Sequence, residues 1–148
     1  MLKKRFKNKK NLANREAFTL VELLVVIVII ALLSSLVAPK IFGKLDDAKV
    51  KTAYAQMQML SSALDTFKLD VGRYPTTQEG LKVLWVKDSD IKGWNGPYLP
   101  KKVDKDSWGN PYLYKFPGSD KNDYDLFTYG ADSKEGGSGN NADISVWQ

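Results

Sequence analysis

The sequence predicts an α+β chain in which one long N-terminal helix packs on a small three-stranded antiparallel sheet, and three observations predict it. An apolar run from Phe18 to Val37 is long enough for a membrane-spanning helix. Beyond Pro39 an apolar stripe at helical spacing runs on to Val71. The C-terminal third holds three short runs of strand formers separated by turn formers.

The chain opens with a basic leader, residues 1–17, in which Lys3, Lys4, Arg5, Lys7, Lys9, Lys10 and Arg15 face a lone anion, Glu16, for a net charge of +6. The whole chain carries +5, so residues 18–148 are close to neutral at about −1. The basicity therefore belongs to the leader, and the body offers no basic face for nucleic acid. Anionic lipid on a cytoplasmic leaflet suits such a leader better.

The run from Phe18 to Val37 follows, 20 residues that span about 30 Å as a helix. Because the cations precede it, the positive-inside rule places the N-terminus in the cytoplasm and everything after Pro39 outside. A cleavable secretory signal would end in small residues. Here the run ends Leu36-Val37-Ala38, with a large residue where a small one is wanted and Pro39 directly after, so the helix reads as a retained anchor. One residue departs from a plain anchor. Glu22 lies five residues into the run, where a lone carboxylate costs about 2.5–3.5 kcal/mol at the bilayer centre and less near the headgroups. It reads either as a tolerated interfacial acid or as a carboxylate awaiting a buried cationic partner from another subunit.

Pro39 has no amide hydrogen, which predicts a kink or local unwinding. The helical pattern resumes beyond it. Leu60, Ala63, Leu64, Phe67 and Val71 share one face, Lys49, Lys51, Gln56 and Lys68 lie on more polar sides, and Gly72 offers a stop. The expected helix thus runs from Phe18 to about Val71, its first half membranous and its second half requiring cover.

Thr76 and Glu79 have capping-box spacing, so Thr77–Val86 reads as a short helix despite Gly80. Aromatics interleaved with turn formers come next, Trp94-Asn95-Gly96-Pro97-Tyr98 and then Asp106-Ser107-Trp108-Gly109-Asn110-Pro111-Tyr112. A sugar or nucleobase platform would use such residues, but in a small loop-rich domain they read as core. The strands are expected at Tyr112–Phe116, Tyr124–Tyr129 and Ile144–Trp147.

Between the last two strands lies Gly130–Asp143, rich in carboxylates, carbonyls and hydroxyls on a glycine-loosened backbone. Oxygen ligands on a flexible loop suit calcium, although no EF-hand spacing is present and a solvated hairpin loop stays open. The chain has no Cys and no His, which removes disulfides, thiolate and imidazole catalysis and most zinc sites. No active site is expected, and the chain does not read as an enzyme.

Two resemblances narrow the reading. The stretch Glu16-Ala17-Phe18-Thr19-Leu20-Val21-Glu22-Leu23-Leu24-Val25-Val26 resembles the class III signal of type IV pilins and type II secretion pseudopilins. That resemblance implies a pilin-like fold, cleavage between Ala17 and Phe18 by a prepilin peptidase, N-methylation of Phe18, and pairing of Glu22 with the N-terminal amine of a neighbouring subunit. The family residue before the cut is normally Gly, and here it is Ala17. The second resemblance covers nearly all the mature chain. Arg73-Tyr74-Pro75-Thr76-Thr77-Gln78-Glu79-Gly80-Leu81, Asp106-x-Trp108-Gly109-Asn110-Pro111-Tyr112, Tyr124-Asp125-Leu126 and Gly130-Ala131-Asp132, with Ala142-Asp143-Ile144 and Trp147, look like the major pseudopilin of type II secretion.

It implies one calcium in the C-terminal loop, with Asp132, Asp143 and the backbone of Tyr129 as ligands and the Lys134 backbone and Ser138 as further contributors. The implied organisation is a removed leader at 1–17, a transmembrane and filament-core helix at 18–38, and a periplasmic globular domain at 39–148 that includes the second half of the long helix. The implied function is a structural subunit that polymerises with copies of itself from the bacterial inner membrane, which it crosses once, into a periplasmic filament driving export of folded proteins across the outer membrane. Minor pseudopilins and an inner-membrane assembly platform are the implied partners. The rival readings are a type IV or competence pilin and a membrane-anchored glycan-binding or enzymatic domain.

Overall fold

The computed structural model describes residues 18–87 and 89–148, so the leader and its Ala17 lie outside the described residues. The chain divides into two compact units, Met1–Lys40 and Ile41–Gln148. Helix α1, Leu20–Val71, contributes to both. Its helical turns continue through Pro39, so the expected unwinding is not found there, although the proline has no amide to donate to the Ser35 carbonyl. At its C-terminal end the Gly72 amide bonds to the Lys68 carbonyl with φ +85°, the left-handed stop that a glycine adopts at no steric cost.

In the second unit, α1 buries Ala53, Met57, Leu60, Ala63, Leu64 and Phe67, a stripe advancing by three or four residues. Val71, at the far end of the expected face, is only half-buried because the helix stops there. The residues that complete this core all follow α1 in sequence, among them Tyr74, Leu84, Leu99, Tyr124, Leu126 and Ile144. Tyr124 is fully buried at their centre. Its ring meets Tyr74 edge-on at 4.9 Å between centroids and lies 5.1 Å from Trp147, and its hydroxyl shares a 2.7 Å hydrogen bond with Ser61 of α1.

The loop aromatics serve the core. Tyr112 is buried, Trp94, Tyr98 and Trp108 pack against the cluster, and the Trp94 indole donates to the Val83 carbonyl at 2.7 Å. The chain's last turn is tied in the same way, with the Trp147 indole donating to the Tyr124 carbonyl at 2.8 Å.

The sheet is antiparallel in the order β1-β2-β3, with β1 Leu113–Lys115, β2 Asp125–Thr128 and β3 Ile144–Ser145. Leu113 pairs with Phe127 and Thr128 with Ile144. Each strand is shorter than its pattern. Pro111 and Pro117, which have no amide to donate, bracket β1, and Gly130 at φ +71° turns the chain out after β2.

The stretch expected as a helix at Thr77–Val86 is instead a turn followed by a short 3-10 helix, Leu81–Leu84. The capping box does form. The Glu79 amide donates to the Thr76 hydroxyl at 3.2 Å, and the Thr76 amide donates to the Glu79 carboxylate at 2.6 Å. It closes a turn rather than opening an α-helix, because Gly80 takes φ +60°, outside the right-handed region. Arg73 completes this corner with a two-pronged contact to Glu79 at 2.7 and 2.8 Å. The guanidinium, helped by the Thr76 donors and against partial burial, holds the Glu79 carboxyl at about 2. A carboxyl lowered on folding contributes stability above its unfolded pKa, near 4.3, and loses it as pH falls through the folded value. The melting temperature of the chain should therefore decline as pH falls from about 4.3 toward about 2. In Glu79→Gln that decline should be shallower, as read by melting across this range.

Candidate functional site

Two places carry the residues singled out from the sequence, and they belong to different units. The first is the start of α1. Every large apolar side chain from Leu20 to Val37 is exposed, and by length and composition the helix is able to cross a membrane. Phe18 precedes the helix and is exposed. Thr19 is its N-cap: the Leu23 amide bonds to the Thr19 carbonyl at 3.1 Å, and the Glu22 amide donates to the Thr19 hydroxyl at 3.1 Å. Glu22 reaches back, its carboxylate accepting from the Thr19 amide at 3.4 Å. The pair is a capping box, and the carboxylate also meets the partial positive charge of the helix start. The capping role of Thr19 and Glu22 is absent from the sequence reading above, although Thr-x-x-Glu is the same signal that Thr76 and Glu79 carry.

The second place is the loop from Gly130 to Asp143. Its two arms are drawn together at a neck. The Ala131 amide donates to the Asn140 carbonyl at 2.8 Å, and a Cβ on Gly130 would stand 2.5 Å from the Asn140 carbonyl oxygen and 2.8 Å from that of Ala142. Only glycine fits this approach, and φ +71° adds to that requirement. The returning arm forms a single 3-10 turn, Gly139–Asn141, in which the Asn141 amide uses the Ser138 carbonyl at 3.1 Å.

Asp132 and Asp143 sit one residue beyond the neck on either arm. Asp132 is exposed and accepts the Lys134 amide at 3.1 Å. Asp143 accepts the Gly136 amide at 3.0 Å with one carboxylate oxygen, and its other oxygen, Oδ1, is buried with no hydrogen-bond partner. Tyr129 is half-buried at the root of the outgoing arm, its ring edge-on to Phe127 at 5.3 Å. Lys134 and Ser138 are exposed.

A buried carboxylate oxygen left without a donor is costly unless a cation serves it, so the orphaned oxygen of Asp143 fits a metal ligand. Among the described residues no three Asp, Glu, His or Cys side chains converge. A cation here would depend on the two carboxylates plus carbonyl and hydroxyl oxygens, the donor set of a hard ion such as calcium.

Residues 40–147 match the family model described as type II secretion system (T2SS), protein G, and residues 12–38 match that of the prokaryotic N-terminal methylation motif. The chain is 45% identical over 136 residues to the type II secretion system core protein G of Pseudomonas aeruginosa, covering 90% of this chain and 95% of that one. To the protein of the same name from Vibrio cholerae it is 43% identical over 141 residues, covering 93% and 95%. Among solved structures it is similar to the major pseudopilin from the type 2 secretion system of enterohaemorrhagic Escherichia coli, with a TM-score of 0.57 and 31% identity over 72% of this chain and 92% of that one.

Proposed function

The chain belongs to the type II secretion system protein G family, and from that premise we propose how it is matured, held and assembled. It is a structural subunit of the pseudopilus, with a candidate transmembrane helix at its N-terminal end. The observation that carries the proposal is the exposed apolar run Leu20–Val37 at the start of α1, with a single carboxylate, Glu22, in the first turn.

A prepilin peptidase removes the leader between Ala17 and Phe18, and the freed amine of Phe18 is methylated. The subunit then waits in the bacterial inner membrane as a single-pass protein, N-terminus toward the cytoplasm and globular domain in the periplasm, an orientation supported by the positive leader. Until assembly the capping contact with Thr19 keeps the Glu22 carboxylate at the helix start. In the filament Glu22 pairs with the Phe18 amine of a neighbouring copy, so that neither charge is left alone among apolar helices. Copies add to one another, with minor pseudopilins and an inner-membrane assembly platform as partners, and the growing filament drives folded proteins across the outer membrane.

In the globular domain Asp132, Asp143 and the Tyr129 carbonyl hold calcium, with the Lys134 carbonyl and Ser138 completing the shell. The bound ion ties the two arms of the loop and stabilises the folded state by binding to it alone.

The Glu22→Gln variant tests the assembly role, because glutamine serves a capping box as well as glutamate does but carries no charge. Expressed in cells with an intact secretion machine, the variant should mature to the same methylated Phe18 start by mass spectrometry. Its filament yield, by electron microscopy of sheared filaments, should fall by about two orders of magnitude, since the neighbour's amine is left buried and unpaired. Wild-type filament yield would remove the pairing role. A mature start at or after Pro39 would remove the pilin-like reading itself.

A further inference from the structure

The turn from Asp106 to Tyr112 contains a buried carboxylate that the pseudopilus role does not use. Asp106 is 7% exposed, and among the described residues no Lys or Arg forms an ion pair with it. Its charge is met by three donors instead. Oδ1 accepts the amides of Trp108 and Asn110, both at 2.9 Å, and Oδ2 accepts the hydroxyl of Thr128. Turn closure alone needs only the first two, which the side-chain oxygen of a neutral asparagine also accepts. The third reaches the end of β2.

From there the network runs to one residue. The Thr128 hydroxyl accepts the Gly130 amide at 3.3 Å, and the Asn110 side-chain amide donates to the Gly130 carbonyl at 2.8 Å. Both backbone polar groups of Gly130 are thus held by side chains that Asp106 positions, directly for Thr128 and through the backbone for Asn110. The turn is itself anchored on α1, with the Ser107 hydroxyl donating to the Lys49 carbonyl at 2.8 Å and the Tyr112 hydroxyl to Gln56 at 2.7 Å.

We propose that Asp106, Asn110 and Thr128 are positioning residues for the cation loop, clamping its neck at Gly130 so that the oxygens on either side are already in place when a divalent cation arrives. The inference rests on the calcium reading of the loop. Its physical basis is preorganisation: a glycine-rich loop ordered only on binding loses affinity to that ordering, and a neck fixed beforehand avoids part of the loss. Charge-assisted hydrogen bonds make the clamp stiffer than neutral ones would. None of the three is among the ligands proposed for the ion. They act as outer-shell partners, whose removal typically weakens metal affinity by about 10- to 100-fold.

The test is calcium titration of the full chain in detergent, followed by calorimetry, with melting measured in chelator. Asn110→Ala should raise the calcium dissociation constant by about 10-fold or more, while melting in chelator falls only by the few degrees that one lost hydrogen bond to a buried carbonyl costs. Ser61→Ala, which removes one hydrogen bond on Tyr124 away from the loop, should leave the dissociation constant unchanged. Thr128→Val should weaken binding and Thr128→Ser, which keeps the hydroxyl, should restore it; this pair decides the matter if Asn110→Ala does not fold. An unchanged dissociation constant in Asn110→Ala and Thr128→Val would overturn the clamp and leave the calcium site standing. No calcium binding by the unaltered chain would overturn both.

Discussion

Replacing Phe67 with alanine should lower the unfolding free energy of the chain by about 3–5 kcal/mol. Phe67 lies at the end of the α1 stripe with none of its surface exposed, and its ring meets Tyr98 edge-on at 5.6 Å. Truncation removes the transfer energy of the ring, the edge-to-face contact, and the packing of neighbours that relax only partly into the void. Leu69, two residues on, is 85% exposed on the same helix. Its replacement by alanine should cost less than about 0.5 kcal/mol. Urea unfolding of the full chain in detergent, followed by the fluorescence of its tryptophans, measures both. Equal losses at the two positions would contradict the assignment of the second half of α1 as a core helix with one buried face.

The second large effect concerns the loop. With free calcium about a thousandfold above its dissociation constant, the folded state should gain about 4 kcal/mol, and chelation should lower the melting temperature by about 10 °C or more. Asp132→Ala and Asp143→Ala should each abolish the difference between calcium and chelator. In chelator neither should cost much, for different reasons. Asp143→Ala removes the orphaned buried oxygen and so offsets its lost contact to Gly136, whereas Asp132→Ala removes only an exposed turn contact. Identical melting of the unaltered chain in calcium and in chelator would remove the ion from the account and leave the filament role untouched.

Much of the architecture was legible because it rests on periodic signals. Leu60, Ala63, Leu64 and Phe67 repeat at the helical interval, and all four are buried. Ala53 and Met57 extend the same face toward the N-terminus with no strong signal of their own, one being small and the other standing among polar residues. The strands lie within their patterns and are shorter than them, since the residues that bound β1 and β2, Pro111, Pro117 and Gly130, act through missing donors and a positive φ rather than through hydrophobic pattern. Thr76 and Glu79 signalled a real capping box, but the single glycine after it decided what followed.

The candidate site residues stand out in the sequence only where their chemistry is local. Glu22 stood out as a charge in an apolar run, and that contrast hid its ordinary role as the partner of Thr19 three residues away. Asp132 and Asp143 came from resemblance, and nothing in their spacing identifies the oxygen of Asp143 that folding leaves orphaned. The Asp106 to Thr128 and Asn110 to Gly130 contacts join residues 22 and 20 positions apart through single polar atoms. Such contacts leave no period in the sequence.

The buried face of α1 precedes in sequence every residue that covers it. Translation therefore delivers Phe67 and its neighbours before Tyr98, Tyr124 or Ile144 exists, and the stripe has no cover for as long as synthesis of the rest takes. Closure requires contacts between the helix and segments far along the chain, the slow kind to form. A subunit whose N-terminal run engages the membrane early is thus still unable to complete its core. Folding can finish only when its last few residues, with Ile144 and Val146 among them, have been made.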